Sequence, residues 1–144
     1  MILKTEKRKG DNMPFTTSKS NDILGSIFTS VTCIGLSTTT PNADGSNFTE
    51  PPASSGYERA NFGAINTSKS AQIANDSIIF FNEAVNSGYG TVYYFGAFAS
   101  KTGGTPFFIG RLQNSISVPS GYVPIFRKNQ LVIGLDKDVL EDYS

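Results

Sequence analysis

The sequence predicts a mainly β fold, an antiparallel β-sandwich or flattened barrel of about seven short strands with one short N-terminal helix. Three observations predict it. Tyr89–Ser100 and Pro106–Gly110 read as two strands joined across Lys101–Thr105, and Lys101 is the only charge in the whole stretch. Charged residues are 17% of the chain, a low share, and Gly, Ser, Thr and Asn take their place. Turn signals also recur between short apolar runs at roughly 8–12-residue spacing, the pattern of hairpins in a sandwich or barrel. The length of 144 residues fits one domain. Eleven Phe and six Tyr, with no Trp, leave Phe to carry most of the core packing.

Taken in order, Lys4–Asn12 is a charged segment without hydrophobic periodicity, followed by a second methionine, Met13. It holds four of the twelve basic residues. Residues 1–12 are read either as a basic arm that contacts a partner or as an upstream sequence counted as coding, because Lys9–Met13 can be encoded with a purine-rich ribosome-binding string before an ATG. The β-rich domain is then expected to span 13–144. Phe15–Phe28 reads as the helix: Ser18, Ser20 or Asn21 suits its cap, Asp22 its first turn, and Ile23, Leu24, Ile27 and Phe28 share a face. Gly25 weakens it by about 1 kcal/mol relative to Ala.

Ser30–Ser37 is the first strand, with Val31, Cys33 and Gly35 on one face and Ile34 and Leu36 on the other. Thr38–Gly56 is a long loop with an Asp44-Gly45 turn signal. Tyr57–Asn61 is a short strand, Ile65–Ala71 a polar loop and Gln72–Phe81 one continuous strand. Gly90–Ser100 and Pro106–Leu112 form the hairpin, with Gly103 and Gly104 free to take positive φ. Strict alternation places Val92, Tyr94, Gly96 and Phe98 on one face, with Gly96 leaving room for a ring. Ser115–Val118 is an edge segment, Val123–Phe126 and Gln130–Leu135 are late strands, and Asp136–Ser144 is an acidic tail.

Several function classes fall away. There is no histidine, which removes Ser-His-Asp and Cys-His catalysis, His-ligated metals and the commonest general base. Cys33 is the single cysteine and sits in an apolar run, so it reads as a buried structural thiol. Net charge is zero, without the clustered basic face that nucleic acid requires. No apolar run reaches the roughly 18 residues of a transmembrane helix, and Met1–Lys4 leads into charge rather than an apolar signal core. Asn42, Asp44 and Ser46 supply only part of a Ca²⁺ loop. Glu50 reads as a surface or loop-anchoring residue, and Glu58-Arg59 as a surface or interface ion pair.

The order of the pieces resembles a known family. Cys33–Pro41 has the form apolar-Gly-Leu-Ser-Thr, Asp44-Gly45 follows, and Thr49-Glu50-Pro51 with Ser54–Arg59 matches a Glu-Pro … Gly-Gly-Tyr-Ala-Arg pattern. Gly90–Phe98 then matches a Gly-Thr-apolar-X-X-Phe-Gly-apolar-Phe strand through Gly90, Thr91, Val92, Phe95, Gly96 and Phe98, with Gly103 and Gly104 in the Thr-Gly-Gly turn. This order resembles small structural proteins of tailed bacteriophages, of the tail fibre and minor virion protein type, over roughly Phe15 to Leu135. Tyr89 stands where the family has Trp, and Tyr94 where it often has His.

The resemblance implies a non-enzymatic virion subunit with no cofactor, made in the bacterial cytoplasm. It is expected to act by assembly with other virion proteins and with copies of itself, with no role for nucleic acid or membrane. Tail, fibre or baseplate, neck and capsid exterior are the candidate places. The long loop, taken to lack local partners, supplies the candidate interface of Asp44, Gly45, Phe48, Glu50, Pro51, Tyr57 and Arg59. The alternative is a receptor- or glycan-binding fibre module using Tyr57, Tyr93 and Tyr94.

Overall fold

The structure, a computed structural model, describes residues 1–5, 17–68 and 72–134. It is mainly β, with ten strands, one α-helix and one 3-10 turn at Ala53–Ser55 among these residues. The strands are β1 (Ile2–Leu3), β2 (Cys33–Ser37), β3 (Ala60–Asn61), β4 (Ile65–Asn66), β5 (Gln72–Asn75), β6 (Ile79–Phe80), β7 (Gly90–Phe98), β8 (Phe108–Val118), β9 (Ile125–Phe126) and β10 (Val132–Gly134); α1 is Thr17–Phe28. They form three sheets, ordered β3-β2-β7-β8, β10-β5-β4 and β1-β9-β6. All pairs are antiparallel except β1 with β9. None of the sheets closes into a barrel.

The helix exists because its apolar face has somewhere to go. Leu24 and Phe28 are buried, and Phe28 packs on Phe62 and Phe108, each with ring centroids 5.4 Å away. The backbone is already helical at Thr17, so positions 18, 20 and 21 fall within the helix rather than at its start. Gly25 has nothing within 4 Å of where a Cβ would stand. Gly25→Ala is therefore expected to stabilise the domain by about 1 kcal/mol through helix propensity alone, read as a rise in the urea midpoint.

β2 is buried along its whole length. It lies between β3 and β7, and both its faces are covered. Ile34 and Leu36 join the main core, while Gly35 faces Tyr57, Glu50 and Phe98 on the other side.

The pairing of β7 with β8 shifts register between Val92, opposite Ile116, and Tyr94, opposite Arg111. Such a bulge re-aims side chains. Val92, Phe95 and Ala97 consequently share the core, and Tyr93 is 41% exposed. Strict alternation had grouped Val92 with Gly96 and Phe98; the bulge separates them. β8 also continues through Ser115–Val118 rather than leaving it as a separate edge segment.

Gln72–Phe81 is two strands rather than one. The buried Asn75 explains the break: its amide Nδ2 donates to the carbonyls of Ser77 and Arg127, and its Oδ1 accepts from the Leu131 amide. The chain then leaves the sheet with β10 and enters the one with β9. Residues 65–66, read as loop, pair with β5 as β4.

The first five residues pack against the described fold. Leu3 is fully buried in a row with Phe126 and Ile79, and the Val132 amide donates to the Thr5 hydroxyl. One apolar side chain and a few backbone bonds hold this strand, too little to stand out before a charge run. The segment 6–16, with Met13 and Phe15, Leu135 at the end of the expected last strand, and the acidic tail Asp136–Ser144 lie outside the described residues.

Candidate functional site

The outer face of β2 and β7 carries glycines where side chains would stand. Gly35 and Gly96 are directly paired, and the ring of Phe48 from the long loop settles over Gly96, with atoms 2.9 Å from where its Cβ would be. Phe48 meets Phe98 edge-on, centroids 5.3 Å apart. Removing two side chains from the sheet thus opens a slot into which the loop lays an aromatic ring.

The loop does not lack local partners, contrary to the sequence expectation. The Thr38 amide donates to the Thr49 carbonyl at 2.8 Å, and the Thr49 amide donates back to the Ser37 hydroxyl at 3.1 Å. At its tip the Asp44 carboxylate accepts from the Ser46 hydroxyl at 2.6 Å and the Ser46 amide at 3.0 Å. Those bonds, the hydroxyl's above all, hold the Asp44 carboxyl below its ordinary value. Asn42 also bonds Ser46, so the residues of the partial Ca²⁺ pattern serve one another as a turn. Gly45 packs against Thr105 and Pro106, tying the tip to the hairpin turn.

The loop's far end is anchored by Glu50, Tyr57 and Arg59. Arg59 is 5% exposed and forks onto the carboxylate, Nε to Oε1 at 2.9 Å and Nη2 to Oε2 at 3.0 Å. Its Nη1 donates to the carbonyls of Ser100 and Gly103, both at 2.8 Å. Its Cζ lies 3.5 Å from the centroid of the Phe98 ring. The Tyr57 hydroxyl donates to Glu50 at 2.6 Å and accepts from the Leu36 amide at 3.0 Å. One guanidinium therefore joins the loop, the central sheet and the hairpin turn, where Gly103 and Gly104 both take φ near +70°. Arg59 pairs with Glu50 inside the chain, which corrects the expected surface or interface pair with Glu58. Glu58 itself is exposed.

Of the candidate interface residues only Asp44 is exposed; Phe48 and Glu50 are half-buried, and Gly45, Pro51, Tyr57 and Arg59 are buried within the chain. Among the fold-signature residues, Val92, Phe95, Gly96 and Phe98 are buried, while Gly90 is exposed at the start of β7, Gly103 and Gly104 are exposed in the hairpin turn and Thr91 is half-buried. Tyr57, Tyr93 and Tyr94 do not form one aromatic platform. Tyr57 is turned inward, edge-on to Tyr89, whereas Tyr93 is exposed. What sequence reasoning missed is Asn75, a polar residue in a strand whose partners lie far along the chain.

The arrangement has a pH consequence. Burial, and then the charge of Glu50, push the Tyr57 phenol up, and burial pushes Tyr89 up to about 12 from an ordinary 10.0. Above pH 10 the unfolded chain releases these protons while the fold retains them, so stability is intact below that value and falls as pH rises past it. Urea midpoints are expected to drop across pH 10–12, and Tyr89→Phe to flatten the drop.

The site spends its ionisable groups on one another, leaving a loop clamped to a sheet. Among the described residues no group of three acidic or thiol side chains is placed to hold a metal, and no helix is long and apolar enough to cross a membrane. A comparison with curated proteins gives no match. The model of one family, described as podophage GP4 fibre I protein gp80, matches residues 15–134, and with that span covered the chain belongs to this family of phage fibre proteins.

Proposed function

We propose that this chain is a non-enzymatic structural subunit of a tailed-phage virion, working in the tail fibre, baseplate or neck region by association with other virion proteins. One observation carries the reading: Glu50, Tyr57 and Arg59, the most connected ionisable groups, are consumed in fastening the loop. A catalytic centre keeps at least one such group available to a substrate; here each has its partners within the fold. Membership of a phage fibre family supports the same reading.

The test is mass spectrometry of purified particles with cryo-electron microscopy of the same preparation. The chain is expected in the particles at fixed copy number, with density in the tail region. Its absence from particles while it is abundant in the lysate overturns the proposal.

A further inference from the structure

The sheet β1-β9-β6 is apolar on both faces. Its inner row, Leu3–Phe126–Ile79, is fully buried. The adjacent register row, Ile2–Ile125–Phe80, points outward, and Ile2 is 45% and Phe80 63% exposed. Ile78, also 45% exposed, extends it. A sheet with one face on the core and the other in water normally alternates apolar with polar. Here the alternation fails on an outer face, the mark of a surface that is covered in use.

Beside this row lies a cleft of about 260 Å³, lined by Phe80, Ile78, Ala60, Asn61, Glu58 and Lys101 among others. β3 and β6, which meet there, are both end strands of their sheets. The rim supplies the clue to the occupant. It carries one exposed carboxylate, Glu58, and one exposed ammonium, Lys101, whose position is fixed by a 2.8 Å bond to the Arg59 carbonyl. One acid and one base around an apolar centre make a patch complementary to itself. Across a symmetric contact, residue i meets j and j meets i, so Glu58 of each copy can face Lys101 of the other. The zero net charge of the chain sets no long-range repulsion against that approach.

We infer that the outer face of β1-β9-β6, with the adjoining cleft, is the surface on which a second copy of this chain docks. The Phe80 ring is the central anchor and Glu58 with Lys101 sets the orientation. This rests on the reading of the chain as an assembling subunit, and it names where the assembly occurs.

Light scattering on the full-length chain over a concentration series tests it. The wild type is expected to show a mass above one chain. Phe80→Glu, at an exposed position, is expected to keep the thermal midpoint and to weaken association about tenfold or more. Glu58→Lys and Lys101→Glu are each expected to weaken it, and the double exchange to restore part of the loss. A wild type monomeric at its highest soluble concentration, or a Phe80→Glu variant with unchanged mass, overturns the inference, as does failure of the double exchange in variants that stay folded. The measurement needs no virion, so the two readings fail separately: a self-associating chain absent from particles defeats only the virion assignment, and a monomer present in particles defeats only this one.

Discussion

Replacing Arg59 by alanine is expected to destabilise the domain by about 3–5 kcal/mol. The guanidinium is almost fully enclosed, and its removal strands several partners together. The Glu50 carboxylate loses its counter-ion, and the carbonyls of Ser100 and Gly103 lose a donor. The Phe98 ring loses its cation. The loss is large because a half-buried carboxylate is left without its partner, not because the pair is intrinsically strong. Arg59→Lys is expected to recover only part of it, since an ammonium has neither the fork for both carboxylate oxygens nor a flat face for the ring. Tyr57→Phe is milder, about 1–3 kcal/mol, because it leaves the Leu36 amide unbonded. Urea denaturation gives these values. Hydrogen exchange adds a spatial check: in Arg59→Ala, protection is expected to fall in both Thr38–Gly56 and Lys101–Thr105, the two segments that the guanidinium joins. A cost below about 1 kcal/mol, the range of an exposed ion pair, contradicts the clamp.

How much of this was legible follows from the range over which each feature is encoded. The hairpin was readable because its strands and its Gly103-Gly104 turn are adjacent in the chain. The apolar face of α1 was readable from spacing alone. The bulge beside Val92 was not, since it exists only in the register of β7 against β8. The sheet switch after Asn75 was hidden because its partners, Arg127 and Leu131, lie more than fifty residues on. Glu50 and Arg59 each stand out in the sequence, but their pairing does not. Pro51-Pro52 and the turn at Ala53–Ser55 intervene, and nothing local reveals that the chain doubles back to bring a carboxylate onto a guanidinium nine residues away. Glu58, adjacent in sequence, was the natural partner to assume, but neighbours on an extended segment point to opposite sides.

The register of that same hairpin makes Gly110→Ala the second large effect. Gly110 stands directly opposite Phe95, and the Phe95 ring lies back across it. A Cβ at Gly110 would come within 2.1 Å of Cε1 and 2.4 Å of Cζ. The ring cannot yield cheaply. It is 2% exposed and edge-on to Phe126, with centroids 6.3 Å apart, and moving it disturbs the contact of Phe126 with Phe81. Overpacking a filled core costs about 1–3 kcal/mol. The upper end is expected here, because the obstacle is the body of a rigid ring rather than the end of a flexible chain. A shorter side chain should remove the obstacle. In a Phe95→Leu background, itself destabilised, Gly110→Ala is expected to cost less than about 1 kcal/mol, a coupling well outside the additivity of independent sites. Four urea curves, for wild type, both single variants and the double variant, measure it. Strict additivity would mean that ring and glycine do not share the space assigned to them, and that the pairing of β7 with β8 beyond the bulge is in a different register.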